Sequence, residues 1–482
     1  MKKNLRNILL MLLVLAVLGG AAFWLAKTPS GQEGEASSLP VEESSQPGET
    51  VMDLDEAEVE SVEVRNQNGE FTAVPLTGGD SLRFTLKGYE GFGLENTYLT
   101  SNMQSLFHMT AAKSLGAQEN LEAFGLAGSG EAEVTIRTKS GQETLVLGKN
   151  AAETSGRYVR KGDAVYIVTN VPANLYESMY VYFVKEVYTI ADRVVETVDE
   201  EGNKTEEAGE DVMQRIALSG TRYPEEIVIE RSSRANSTYL MTAPVTAESG
   251  NTAFNELAVS LKSLTASQVA SADVSEKSLE EHGLLEPEAR VQFTLNDSTH
   301  DLAVSAKDNE GNRYLLADSN GVIYQVANDQ VSQWAETSVM GLRMSYIWIP
   351  NIKNVEKLTV TSEGDQVHTY QITRTKNEEK STESNIQYDL TIVDGSGSPV
   401  DYEEAYQPFY QKLIGLAVFS GKEAAYGSGC ALRAEYQYFE GGSDKVEFYP
   451  IEGQNRYAAM LNGQYTGQIR GSELEALLPL IP

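Results

Sequence analysis

Apolar and polar positions alternate with period two in many short runs of this chain, the pattern of strands buried on one face. Three runs look alike: "VESVEV" at 59–64, "PEEIVI" at 224–229 and "VEKLTV" at 355–360. After each comes a second extended stretch and then a segment with helical spacing, at 96–115, 251–269 and 402–419. In the second of these, Phe254, Leu257, Leu261 and Leu264 recur every three or four residues and share one face, which needs a sheet to cover.

Later signals recur too. "NLEAFGL" (120–126) is echoed by "SLEEHGL" (278–284), and "AEVTIRT" (132–138) by "ARVQFTL" (289–295). Three hairpins follow, carrying Arg157-Tyr158, Arg313-Tyr314 and Arg456-Tyr457, with turn glycines Gly162, Gly321 and Gly463 and return-strand tyrosines Tyr166, Tyr324 and Tyr465. Short helical segments at 172–179, 328–337 and 472–480 close the passes. The first two Arg-Tyr steps are separated by nearly the same length as the two Gly-Leu steps, as duplication requires. The third pass departs: "SGKEAAYGSGCA" (420–431) stands where a Gly-Leu copy is due.

The expected fold class is α+β: three repeated units, each a mostly antiparallel β-sheet with one main helix packed on it, after an N-terminal transmembrane helix. The expected boundaries are an anchor at 1–27, an acidic flexible linker at 28–56, units at 57–196, 214–349 and 350–482, and an acidic hairpin tip or linker at 197–213. A strand shared between neighbours would also suit the even spacing. On the strand openings, the Leu-rich helix, the "LEEHGL" step and the "RY…VY" hairpin, the chain resembles the bacterial family of domain of unknown function 4340. That resemblance covers nearly everything after residue 56. It implies an extracytoplasmic accessory role beside ABC-transporter permeases and a gliding-type auxiliary protein, and it carries over no catalytic residues.

Charge narrows the partners. Lys and Arg total 38 against 70 Asp and Glu, a net of -32, which repels phosphate backbones and makes nucleic acid an unsuitable partner. Cys430 is the single cysteine, so neither an intrachain disulfide nor a Cys-based zinc cage can form. Lys2, Lys3 and Arg6 precede the uncharged run Ile8 to Ala26, which as a helix would span roughly 28 Å, close to a bilayer's hydrocarbon core. A secretory signal cleaved near Gly19–Ala22 is the alternative. Phe23, Trp24 and Leu25 continue the apolar run and favour an uncleaved anchor, with the N-terminus cytoplasmic and the bulk of the chain outside.

Candidate chemistry is sparse. His108, His282, His300 and His368 fall at no helical or hairpin metal spacing, and neither a nucleophile elbow nor a phosphate loop occurs. Gly91-Phe92-Gly93 and Gly427-Ser428-Gly429 are loop glycines without a third glycine. Asp318-Ser319-Asn320-Gly321 suits a hairpin turn better than a calcium loop, since it lacks the closing glutamate. Glu280-Glu281-His282 resembles an acid–base site, yet His282 takes the place of Phe124, and the two copies share only Leu121/Leu279, Glu122/Glu280, Gly125/Gly283 and Leu126/Leu284. Those are the positions of a helical turn ended by a glycine cap. For the recurring arginines the favoured reading is a core tyrosine with an arginine paired to an acid; the sharper one is that Arg157, Arg313 and Arg456 line a groove for an acidic ligand. The expected function is a non-enzymatic, membrane-anchored binding or accessory protein without cofactor or metal. The alternatives are an envelope hydrolase using scattered Asp and Glu, and a spacer or adhesin-like stalk.

Overall fold

In Ala289–Leu295, Ala289, Val291, Phe293 and Leu295 are buried while Arg290 and Gln292 are exposed, so the alternation in the sequence is the alternation across the sheet. The computed structural model describes residues 48–76, 82–152, 155–198, 204–232, 237–382 and 386–482. They form mostly antiparallel sheets with few helices. The chain divides into two compact units, where three in series are expected from the sequence.

One unit takes the described residues up to Asp55, Ser105–Thr135 and Gln142–Val171. In it the strand Gly141–Asn150, from its second residue on, then Arg157–Lys161, Ala164–Val168 and Lys113–Ala117 pair in that order, and Thr50–Asp53 pairs with His108–Thr110. Val51 and Met52 of that first strand are buried, so the linker expected over 28–56 ends in a strand. The strand Ala132–Thr138 carries the chain from this unit into the other.

The other unit takes Glu56–Gln104, Ile136–Gly141 and Pro172–Pro482. It opens with the meander Val59–Asn66, Gly69–Pro75 and Phe84–Leu86. A nine-stranded sheet then runs, in spatial order, Ala247–Glu248, Tyr239–Ala243, Ile227–Arg231, Met213–Ser219, Ala289–Leu295, Ser298–Val304, Asn312–Ala317, Ile323–Ala327 and Gln268–Ser271. An eight-stranded sheet follows: Pro399–Val400, Tyr388–Asp394, Gln366–Lys376, Val355–Ser362, Leu432–Tyr438, Ser443–Pro450, Arg456–Leu461 and Gln464–Arg470.

The two orders correspond, with one correction. Val355–Ser362 sits between its hairpin partner and Leu432–Tyr438, and its counterpart in the nine-stranded sheet is Met213–Ser219, not "PEEIVI". "PEEIVI" supplies the next strand out, Ile227–Arg231. Ile216, Ala217 and Leu218 are all buried, as are Ile227, Val228 and Ile229 of the neighbouring strand, so both strands are covered on both faces and period-two alternation does not tell which is the counterpart.

The main helices are shorter than their spacing predicts: Asn96–Gln104, Thr252–Ser260, and a π-turn Tyr402–Tyr406 continuing into Gln407–Ile414. Past Gln104 the burial switches to period two, with Phe107, Met109 and Ala111 inside and His108 and Thr110 outside, which is strand behaviour. Leu264 likewise belongs to the strand Ser263–Thr265, which pairs with Glu186–Thr189. That pairing stitches the end of one pass to the middle of the next, and explains why the passes are not separate bodies. Pro408 has no N–H to give the preceding turn, where the helix widens. The helix Gln407–Ile414 buries Phe409, Tyr410 and Leu413 against Leu358, Val360, Tyr370 and Ile372 of the sheet.

Val194–Val198 and Lys204–Ala208 form an antiparallel hairpin in the acidic stretch expected at 197–213. The apolar run Ile8 to Ala26 lies outside the described residues. Among the described residues no helix is long and apolar enough to cross a membrane.

Candidate functional site

The two Gly-Leu steps fold into the same helix end. In the first, the turn Leu121–Phe124 is followed by Gly125 at φ 70°; Gly125 N–H donates to Glu122 O at 3.1 Å and Leu126 N–H reaches back to Leu121 O at 2.9 Å. In the second, Glu276–Glu281 ends at His282 and Gly283 takes φ 66°; Gly283 N–H donates to Glu280 O at 3.0 Å and Leu284 N–H to Leu279 O at 2.7 Å. This is the double hydrogen bond of a left-handed glycine cap.

The residue before each glycine packs edge-on against the tyrosine of the Arg-Tyr step: Phe124 on Tyr158 with ring centroids 4.8 Å apart, His282 on Tyr314 at 4.6 Å. His282 Nδ1 also lies 2.7 Å from the Ser278 carbonyl oxygen. His282 is thus an aromatic packing residue, and the two recurring motifs are the halves of one clamp between helix end and hairpin. The sequence shows each motif without showing that they touch.

The three arginines have three different surroundings. Arg313 is 1% exposed: Nε donates to Asn328 Oδ1 at 2.6 Å, Nη1 to the Ser305 carbonyl at 2.6 Å, and Nη2 reaches Glu336 at 3.0 Å and Glu288 at 3.3 Å. Lys307 lies 2.8 Å from Glu336, and the Lys307 and Arg313 hydrogen bonds hold that carboxyl below its ordinary range against the opposing push of burial. Arg157 is half-buried and lies 3.8 Å from Glu131. Arg456 is exposed and stacks 4.9 Å over the Phe419 ring, which Arg470 shares at 5.1 Å. A common ligand groove over Arg157, Arg313 and Arg456 is therefore not what the fold builds, because Arg313 is enclosed and every arm of its guanidinium is occupied. Pairing with acids holds for the first two arginines; the third rests on an aromatic ring.

The remaining candidates have structural partners. Asp318 and Ser319 take φ 49° and 53° in a tight hairpin turn. The Asp318 carboxylate accepts from Asp301 N–H and meets His300 Nδ1, each at 2.7 Å. His300 is stacked on Tyr188 at 4.3 Å. His108 Nδ1 lies 2.9 Å from Asp53 Oδ1, and His368 sits in the strand Gln366–Lys376. Among the described residues no group of three His, Cys, Asp or Glu side chains is placed to hold a metal.

Sequence reasoning missed a half-open groove of about 1120 Å³ where the nine-stranded and eight-stranded sheets meet. Tyr223, Pro224 and Val245 line it from one side, and Phe419, Lys422 and Tyr465 from the other. The signal was the departure at 420–431. In the nine-stranded sheet the strand Gln268–Ser271 covers the outer edge of Ile323–Ala327, whereas among the described residues Gln464–Arg470 has a single β-bridge on its outer edge, Gln468 to Ser420. Where the third pass omits that strand, the groove opens.

Its walls are pinned together. Arg343, 1% exposed, donates to the carbonyls of Thr466, Met344 and Tyr346, and burial pulls its pKa down to about 10. Thr466 Oγ1 donates to the Thr246 carbonyl at 3.1 Å, and Thr246 in turn hydrogen-bonds Gln464.

A family model described as domain of unknown function (DUF4340) matches residues 85–224 and again 240–418, most of the chain. No curated protein matches it, and no solved structure does.

Proposed function

This chain belongs to the DUF4340 family, and from that premise we propose that it is a non-enzymatic protein held at the cell membrane, an accessory or binding component of an ABC transporter or envelope complex. The observation that carries the reading is the uncharged run Ile8 to Ala26 behind Lys2, Lys3 and Arg6, which is long enough to span a bilayer and is biased to leave its basic end inside. The folded residues would then stand outside the membrane. The transporter partner is the expectation that comes with the family resemblance.

In this proposal the eight-stranded sheet is a third, diverged copy of the repeat. Support comes from its strand order, which follows that of the nine-stranded sheet, and from Arg456-Tyr457, which stands where Arg313-Tyr314 does. The pinned groove beside it supports a binding role.

Purification of the full-length tagged chain from membranes in mild detergent tests the reading. Recovery in the membrane fraction together with a permease or ATPase subunit is expected. A chain that fractionates as soluble, or that comes out of the membrane with neither subunit, overturns it.

A further inference from the structure

We propose that the groove beside Gln464–Tyr465 binds an extended peptide segment of a partner protein, one that combines apolar side chains with a lysine or arginine. The proposal does not depend on membrane attachment, because every residue it uses lies in the folded part of the chain.

The ligand chemistry follows from which polar groups are already committed. The Tyr465 hydroxyl donates to the Lys422 carbonyl at 2.7 Å and the Tyr223 hydroxyl to the Trp334 carbonyl, so both rings offer the groove carbon rather than a free hydroxyl. Ser338 Oγ accepts from Gly341 N–H at 3.1 Å, and Gln464 is held by Thr246. Arg222 turns toward Glu288, 3.7 Å away, and toward the Glu336 carbonyl.

What remains is an apolar floor with a few charges around it. Pro224, Ile227, Pro244, Val245 and Met340 supply the floor, and Met340 is 38% exposed. The carboxylates of Glu225 and Glu423 and the ammonium of Lys422 also line the groove, and among the described residues none of the three has an ion-pair partner, so the unpaired charges leave one carboxylate in excess.

A glycan carries a hydroxyl on nearly every carbon and would set several of them against Pro224, Pro244, Val245 and Met340, at a cost for each one buried without a partner. A peptide with apolar side chains fills the floor, and a basic residue answers the carboxylate that Lys422 leaves in excess. The net charge of -32 also favours a cationic partner in the approach. Because Arg343 and Thr466 fix the walls, the site is largely formed before the ligand arrives, which lowers the ordering cost of binding.

The test selects a displayed library of random dodecapeptides on the purified full-length protein in detergent and measures the enriched peptides by fluorescence anisotropy. Binders with a Lys or Arg between apolar residues are expected. Glu225→Lys with Glu423→Lys should weaken them by at least tenfold, Met340→Trp should block them sterically, and a control reversal at Glu403, on the π-turn, should leave them unchanged. Unaltered thermal unfolding of the variants ties the losses to the groove. No enriched class, binders indifferent to both changes, or saturable binding of chitotetraose in place of peptides would overturn the proposal.

Discussion

Replacing Arg313 by Ala removes a guanidinium that joins four groups inside the nine-stranded sheet: Asn328, the Ser305 carbonyl, Glu288 and Glu336. Glu336 keeps Lys307 at 2.8 Å and Glu288 keeps Arg222 at 3.7 Å, so neither carboxylate is left without a cation. The Ser305 carbonyl and Asn328 amide oxygen lose a charged donor, and a cavity opens at a site that is 1% exposed. Breaking a buried charged network of this kind costs about 3–5 kcal/mol, and the surviving partners place the loss near the lower end. Arg313→Lys restores the charge without the fork, so it should recover only part of the stability. Arg456→Ala, at an exposed arginine stacked on Phe419, should cost about 1 kcal/mol or less. Urea unfolding of the full-length protein, followed by tryptophan fluorescence, measures all three. Equal midpoints for Arg313→Ala and Arg456→Ala would refute the reasoning, since the same Arg-Tyr motif would then have one role at both sites.

The glycine caps give a graded pair. Gly125→Ala and Gly283→Ala both force an L side chain into positive φ, at about 1 kcal/mol. At Gly125 the added carbon also meets the Lys149 backbone nitrogen at 3.1 Å, whereas at Gly283 it meets only the Ser305 Cβ at an ordinary 3.4 Å, so Gly125→Ala should show the larger midpoint shift in urea. His282→Phe should unfold within about 0.5 kcal/mol of the parent, because it copies the Phe124–Tyr158 contact. On the acid side Glu336 titrates below its ordinary 4.5, so its stabilisation is complete above that value and fades as pH falls through the lower folded value. Thermal unfolding followed downward from pH 5 should show the loss begin there, and more weakly in Lys307→Ala. On the alkaline side burial raises the Tyr182 and Tyr223 hydroxyls to about 12. Their contribution is complete below 10 and is lost between 10 and 12, and phenolate absorbance should show these groups ionising late or together with unfolding.

Strand-rich α+β architecture was legible because half-buried strands alternate, as in Ala289–Leu295, and because hairpin glycines such as Gly162 and Gly463 punctuate the turns at positive φ. Legibility failed where burial was two-sided, as at Ile216-Ala217-Leu218. It failed again where helical spacing ran on into a strand: Leu261 and Leu264 are three apart, as on one helix face, yet Leu261 caps the helix and Leu264 already belongs to the strand Ser263–Thr265. The Gly-Leu cap was correctly read from the comparison of copies, and that comparison removed His282 from the catalytic candidates. Its contact with Tyr314 was beyond reach, since the two lie in different elements whose docking the sequence does not state. The groove was invisible for a related reason. It is made by a strand that the third pass lacks, and by the meeting of Tyr223 and Tyr465, which are far apart in the chain.

The central proposal places the folded chain outside a membrane that Ile8 to Ala26 crosses. Its most direct test uses the single-cysteine background: Cys430→Ser with the exposed Ser428→Cys, treated in intact cells with a membrane-impermeant maleimide. The account predicts labelling without permeabilisation, on protein that sediments with membranes and is released into the soluble fraction when residues 8–26 are deleted. Labelling that requires permeabilisation, or a full-length chain that stays soluble, would contradict it.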